Sequence, residues 1–295
     1  FSLPAGAEIT IEANPDPALC RELGALRATG INRISFGVQS FEAAELRALG
    51  RRHAARDVAA AVAAAREAGF ADLSLDLMFG TPGQDAASWE RSLATALALE
   101  PDHVSTYGLT IEPGTPYARW HERSPEAFAD EDTEADLYRI AIETLCDAGF
   151  EQYEISNFAR PGHRSAHNEN YWSNGEYVGL GVGAASYLGG RRSTHTRDLQ
   201  EYVASARRRV PIPGEAEELT GEARLGEATM LALRTREGVD VQAFRTRYGF
   251  DFLDHYARVI DELSSVGVLN VNQTHVRLTE RGRFVANDVA RAFLA

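Results

Sequence analysis

Four polar side chains stand where short apolar segments end: Glu12, Gln39, Asp76 and Thr110. Carboxylates and amides in such places can hold the amine, hydroxyl or carboxyl groups of a small molecule. Asp76 is the sharpest case, because it lies inside LSLDLMF (73–79), where an ionised carboxylate is costly without a partner. Read singly, Glu12 could equally serve as the N-terminal acid of a helix before Pro15, and Asp76 could bond a neighbouring loop. Four segment ends sharing the feature favour a site. A second concentration lies in the polar stretch 160–175, which holds His163, His167, Asn168, Asn170, Tyr171 and Trp172. Gly179, Gly181, Gly183, Gly189 and Gly190 follow it and allow close backbone approach. The run Gly-Leu-Gly-Val-Gly is weak as a nucleotide fingerprint, since no strand, turn and helix surround it in that order.

Composition removes several chemistries. All 30 basic residues are arginine, and the net charge is −13. Without lysine there is no Schiff-base catalysis, no lysine-anchored pyridoxal phosphate and no P-loop, because guanidinium cannot replace the amine in any of them. The acidic balance argues against nonspecific nucleic-acid binding, and Arg207, Arg208 and Arg209 read as a solvated helix end. Two cysteines, Cys20 and Cys146, form neither a disulfide framework nor a CxxC pair, and both are expected as small buried side chains. The longest apolar stretches, such as 58–65, are far shorter than a membrane span, and no signal segment is evident. The chain is expected to be cytoplasmic.

These residues need elements to position them. Strands are predicted at 8–12, 33–38, 73–78 and 103–109, with helices at 17–29, 53–68 and 86–99 between them. Glycines at 30 and 69 supply left-handed stops. Alternating strand and helix predicts an α/β architecture with a parallel sheet, whose functional residues gather at the carboxyl ends of the strands on a shared face. A loop is expected over 113–123, a helix over 130–148, strands at 150–157 and 177–187, and a polar loop over 160–175. From about residue 215 the order changes to helices at 221–235, 241–248 and 252–266, two short strands bracketing 272–274 and a last helix from 279. That is the order of a winged helix. The segment holds 13 acidic residues against 10 arginines, which suits a packing module better than a DNA reader.

Six strings occur in one order: EANP (12–15), RISFGVQSF (33–41), LGRRH (49–53), LDLMFGTPG (75–83), YGLTIEP (107–113) and HNENYW (167–172). Together they resemble the HemW family of haem chaperones, related to oxygen-independent coproporphyrinogen III oxidase (HemN), in the radical S-adenosylmethionine superfamily. The resemblance covers nearly the whole chain. It implies a partial (βα) barrel of parallel strands over 1–120, a barrel extension with the HNxxYW loop over 121–214, and a HemN-like, winged-helix-like α+β domain over 215–295. It further implies that Glu12 receives the amino group of S-adenosylmethionine and that Gln39, Arg51 and Asp76 are polar ligands of the same molecule. Arg51 can grip a carboxylate bidentately. His167, Asn168, Tyr171 and Trp172 match the element that resembles the family's haem-handling motif, and imidazole and aromatic faces suit a metalloporphyrin. The alternative reading of that element is an ordered loop whose His and Asn cap backbone groups.

The family's CxxxCxxC motif for a 4Fe-4S cluster and its glycine-rich GGTP-like segment are absent from these 295 residues. Cys20 and Cys146 cannot replace three closely disposed thiolates. The resemblance therefore implies a chain lacking its first two βα units, on the order of 60 residues or more. The segment around Ile9 to Ile11 should then present an unpaired strand edge. Three functions follow as expectations: a haem chaperone that passes haem to an acceptor protein, a coproporphyrinogen III oxidase-like enzyme of porphyrin biosynthesis, and a cluster-free interaction scaffold. A 4Fe-4S cluster is expected only if the full-length protein carries the missing cysteines.

Overall fold

An extended segment points successive side chains to opposite faces, so a sequence alternating apolar and polar residues builds a sheet with two unlike sides. RISFGVQ (33–39), DLSLDL (72–77) and HVS (103–105) alternate in this way. The computed structural model, which describes residues 3–294, uses them as the centre of the first of two compact units, residues 1–164 and 165–295.

The first unit runs β1 (Thr10–Ala13), α1 (Pro17–Cys20), α2 (Leu23–Ala28), β2 (Arg33–Gln39), α3 (Ala43–Ala48), α4 (Ala55–Glu67), β3 (Asp72–Phe79), α5 (Ala86–Ala98), β4 (His103–Gly108), α6 (Pro116–Arg123), α7 (Glu131–Asp147), β5 (Glu151–Gln152) and β6 (Asn157–Ala159). These strands form one sheet in the order β1-β2-β3-β4-β6-β5. The first four are parallel, and β6 runs antiparallel to both β4 and β5. This is the mixed α/β fold with a parallel sheet that the alternation of strands and helices predicts. Among the described strands β1 pairs with β2 alone, so its outer edge is open, as expected for the segment around Ile9 to Ile11.

One face of the sheet is the core. Ile34, Phe36, Val38, Leu73, Leu75, Leu77 and Val104 pack with Val58, Ala61 and Ala65 of α4, Trp89 and Leu93 of α5, and Leu137, Ala141 and Leu145 of α7. Burying each large aliphatic side chain contributes about 1.5–3 kcal/mol. Trp89 also donates from Nε1 to the carbonyl of Leu137 at 2.9 Å, tying α5 to α7. The helices begin where side chains can cap them: Asp57 accepts from Ala54 N at the start of α4, and Asp85 from Ser88 N at the start of α5.

Several local expectations are corrected. The helix at 17–29 breaks after Cys20 and resumes at Leu23. Residues 113–123 are not wholly loop, because Pro116 occupies the first turn of α6 and Thr115 Oγ1 accepts from Ala118 N. The strand at 150–157 divides into β5 and β6 around a turn, where Tyr138 OH donates to the carbonyl of Ile155 at 2.7 Å. Cys146 is exposed and Cys20 only half-buried. Cys146 follows the buried Leu145 in α7, and one helical step turns it away from the apolar stripe.

The second unit contains α8 (Ala166–Trp172), β7 (Ala185–Leu188), β8 (Arg191–His195), α9 (Leu199–Arg208), β9 (Gly214–Glu218), α10 (Gly221–Leu233), β10 (Val239–Asp240), α11 (Val241–Tyr248), α12 (Phe252–His255), α13 (Ala257–Ser265), β11 (Leu269–Val271), β12 (His275–Leu278), α14 (Glu280–Phe284) and α15 (Ala286–Ala292). Two antiparallel sheets form, in the orders β7-β8-β9 and β10-β12-β11. The polar stretch 160–175, expected as loop, contains α8, because Ser165 Oγ accepts from Asn168 N and starts the helix. The strand expected at 177–187 survives only as a Tyr177 to Tyr187 bridge and β7, since Gly181 and Gly183 turn the chain with φ of 127° and 69°. The strands bracketing 272–274 form as expected, while the helices near 252–266 and after 279 are each interrupted, at Tyr256 and Val285. Arg207, Arg208 and Arg209 lie exposed at the end of α9, as the charge run suggested. No helix among the described residues is long and apolar enough to cross a membrane.

Leu75 lies at the centre of the apolar face with no exposed surface. Leu75→Ala should lower the free energy of unfolding by about 2–5 kcal/mol. Urea denaturation followed by far-UV circular dichroism checks this, and a loss under 1 kcal/mol would contradict the two-faced sheet.

Candidate functional site

The other face of the sheet is polar and largely buried. Register places Glu12 opposite Ser35, Ser35 opposite Ser74, and Asp76 between Gly37 and Ser105. Ser35 Oγ donates to Asp76 Oδ1 and Oδ2 at 2.9 and 3.0 Å, with Ser74 Oγ at 3.5 Å from Oδ1. Burial raises the Asp76 carboxyl above its ordinary range; the hydroxyls of Ser105 and Ser35 oppose the rise, and the charge of Glu12 adds to it. Asp76 is thus desolvated beside the exposed Glu12, and its hydrogen bonds come from neutral hydroxyls. Such a surface suits a ligand carrying positive charge.

The carboxyl end of β2 shapes the space beside them. The β2 to β3 register shifts between Gly37 and Gln39, and Gln39 is buried with φ of 68°. A Cβ at Gly37 would come within 3.0 Å of Gln39 Nε2 and 3.7 Å of Asn14 Oδ1, so the glycine keeps that ground open. Arg51 Nη1 donates to Asn14 Oδ1 at 2.8 Å. Asn14 therefore connects Arg51 to the neighbourhood of Gln39. A cleft of about 430 Å³ opens here, lined by Asn14, Asp16, Gly50, Arg51, Arg52 and His53 among others. Glu12, Gln39, Arg51 and Asp76 thus belong to one continuous region, whereas Thr110 lies exposed beyond the end of β4.

Several members of this region were not singled out in the sequence. Ser74 Oγ shares a 2.8 Å hydrogen bond with His103 Nδ1, and His103 Nε2 another of 2.8 Å with Tyr153 OH. Burial first, then Arg33 and His163, hold His103 well below its ordinary pKa, so it is neutral. Glu45 is buried on α3 and accepts from Ser40 Oγ, Ser88 Oγ and Gln84 Nε2 at 2.7, 2.7 and 2.9 Å. It ties the turn after β2 to the turn after β3 and to α5. The signal for Ser35, Ser74, His103 and Ser105 was the strict period of two, which marks a polar face as clearly as an apolar one.

At the opposite ends of the strands, Asp72, Asp102 and His163 bring ligand atoms within 4.8 Å of one another. Arg33 pairs with Asp72 at 2.7 Å and Arg66 with Asp102 at 2.9 Å. Two guanidinium groups already neutralise both carboxylates, so the cluster is an ionic latch.

In the second unit, α8 places His167 and Tyr171 one turn apart, their rings edge to face at 4.7 Å. Tyr171 meets Tyr177 at 4.6 Å, and Tyr177 meets Tyr187 at 6.3 Å. Asn168 and Trp172 occupy the neighbouring stripe of the helix. Arg234 lies over the Trp172 ring at 4.5 Å, and Trp172 Nε1 is buried without a hydrogen-bond partner among the described residues. Asn170 turns back to donate to the Glu176 carbonyl at 3.1 Å, a structural role. His163 belongs to the first unit. The cysteines, one half-buried on α1 and one exposed on α7, do not fit a 4Fe-4S cluster.

The family model of the radical SAM superfamily matches residues 3–96, and that of the HemN C-terminal domain matches residues 219–285. The chain is 37% identical to "Heme chaperone HemW" of Bacillus subtilis over 98% of its own length and 76% of that protein. It is 33% identical to the protein of the same name from Escherichia coli K12, over 99% and 76%. Against "Radical S-adenosyl methionine domain-containing protein 1, mitochondrial" of Bos taurus the identity is 34% over 99% and 69%. The solved coproporphyrinogen III oxidase (HemN) of Escherichia coli, a radical SAM enzyme, superposes with a TM-score of 0.85 at 24% identity over 99% of this chain and 71% of that one, which establishes a shared fold. With identity above 30% across three-quarters of several full-length relatives, and with both family models in their expected order, the chain belongs to the HemW family of the radical SAM superfamily.

Proposed function

We propose that this chain is a haem chaperone of the radical SAM type, which binds haem through α8 and passes it to an acceptor protein in the cytoplasm. The supporting observation is the aromatic group of His167, Tyr171 and Tyr177, an imidazole in edge-to-face contact with phenol rings. Asn168 and Trp172 complete the element. The parallel strands read as the wall of a partial (βα) barrel over 1–120, residues 121–214 as its extension, and residues 215–295 as a winged-helix-like domain in which β11 and β12 form the wing. The fold shared with coproporphyrinogen III oxidase supports a second reading, an oxidoreductase of porphyrin biosynthesis.

S-adenosylmethionine carries an ammonium, a sulfonium, a carboxylate and ribose hydroxyls. The residues present fit it: Glu12 and Asp76 offer negative charge to the cations, Arg51 a guanidinium to the carboxylate, and Gln39 an amide beside the open ground at Gly37. No step is assigned to a cluster, since the cysteines of this chain do not fit one.

His167→Ala should weaken ferric haem binding about tenfold, while Asp76→Ala should leave it nearly intact. Soret titration reads both, and equal losses accompanied by lost helical signal would mean unfolding instead. Glu12→Gln should weaken S-adenosylmethionine binding measured by calorimetry by roughly tenfold, in line with losing one charge-assisted hydrogen bond of about 1.5 kcal/mol.

Asp76 also makes a signed prediction about pH. Its carboxyl is raised in the folded state, so the fold binds its proton more tightly than the unfolded chain does. The cost of ionising it is absent below the usual carboxylate pKa of about 4 and develops as pH rises through the raised folded value. Asp76→Asn should therefore be at least as stable as wild type at pH 7, with the difference closing below pH of about 4. Denaturation midpoints at both pH values test this. A midpoint clearly lower for Asp76→Asn at pH 7 would contradict it.

A further inference from the structure

We infer that His195 is an axial donor to haem iron at the tip of the glycine-rich hairpin, a site distinct from α8 that rests on the reading of this chain as a haem binder. His195 ends β8 and sits beneath the tip, with Nδ1 3.0 Å from the carbonyl oxygen of Gly181. A carbonyl only accepts, so Nδ1 carries the proton and Nε2 carries the lone pair. Among the described residues Nε2 has no hydrogen-bond partner. Fixing one ring nitrogen on a backbone carbonyl is the usual means of orienting the other toward a metal.

The segment that carries the Gly181 carbonyl displays apolar side chains. Val178, Leu180 and Val182 alternate with the glycines of the hairpin and are 62%, 86% and 42% exposed. Three branched aliphatic side chains held out in sequence on a polar protein surface are costly to hydrate and mark a surface that receives something apolar. The display is built firmly. Gly179 N donates to Ser186 Oγ at 2.9 Å, Gly183 N to the carbonyl of Thr196 at 2.9 Å, and Ala184 N to that of Gly181 at 3.3 Å. A Cβ at Gly179 would fall 2.1 Å from the Ala185 carbonyl oxygen, so only glycine permits this approach. Tyr202 of α9 meets the His195 ring at 5.8 Å, and Leu199, one turn earlier on α9, is exposed. The bridge between Tyr177 and Tyr187 continues from the hairpin to Tyr171 and His167 of α8. A planar apolar macrocycle with a metal at its centre matches an oriented imidazole held by a segment that exposes aliphatic side chains. A purely peptidic partner would leave the imidazole lone pair unused.

Ferric haem titrated into the wild-type chain and into His195→Ala, His167→Ala and Leu180→Ser variants tests this, with Soret and visible bands followed and folding checked by circular dichroism. His195→Ala is expected to lose the imidazole-ligated spectrum, to bind haem more weakly on the order of tenfold or more, and to regain the bands when free imidazole is added. Leu180→Ser is expected to weaken binding while leaving the ligation bands in place. A folded His195→Ala chain with wild-type bands and affinity overturns the proposal, and if His167→Ala is impaired in the same series the reading of α8 survives. A wild-type chain that binds no haem overturns both.

Discussion

The buried carboxylate of Asp76 is the constraint around which the first unit is arranged. Its carboxyl is desolvated, it accepts hydrogen bonds from the hydroxyls of Ser35, Ser74 and Ser105, and a second acid, Glu12, adds to the cost of ionising it. A group in that position does not stabilise the fold. It persists because the opposite side of the same strands buries Leu73, Leu75 and Leu77 completely, along with the faces of α4, α5 and α7. The pleat makes the two inseparable: each residue that enters the core fixes its neighbours on the other face. Stability and site are written in alternate letters of the same segments.

What surrounds the acid is held by polar groups with assigned partners. Glu45 anchors the turns after β2 and β3 through Ser40, Gln84 and Ser88, and it does so in a buried position where a loosened hydrogen bond would be expensive. The left-handed Gln39 and the register shift beside it depend on those turns staying in place. His103, neutral between Ser74 and Tyr153, fills the space below Asp76 without bringing a charge. The arginine latches with Asp72 and Asp102 close the far end.

The second unit solves a different problem with the same economy of means. Arg192 of β8 grips Glu227 of α10 with two 2.8 Å bonds, joining the small sheet to the helices that carry the Phe252, Tyr256 and Phe293 core. The glycine-rich hairpin holds Val178, Leu180 and Val182 exposed, outside that core. On α8 the rings of His167 and Tyr171 meet edge to face, and the close backbone approach at Gly179 keeps the hairpin tight.

The order of the six motifs, the absence of lysine, the succession of strands and helices in the first unit and the left-handed glycine stops at 30 and 69 were all legible in the sequence, because each depends on residues close together in the chain. The positions of Glu12, Gln39 and Asp76 at or near strand ends belong to the same class. The breaks in the helices at 17–29 and 252–266, the helix α8 within an apparently polar loop, and the exposure of Cys146 were not legible, since caps and neighbouring packing compete there with weak local preferences. Only the tertiary structure decided that Ser35 and Ser105 would close on Asp76 and that His195 would be pinned by Gly181. Strand register and hairpin geometry join residues 14 to 41 positions apart, and the sequence states such distances only after the backbone hydrogen bonds have chosen them.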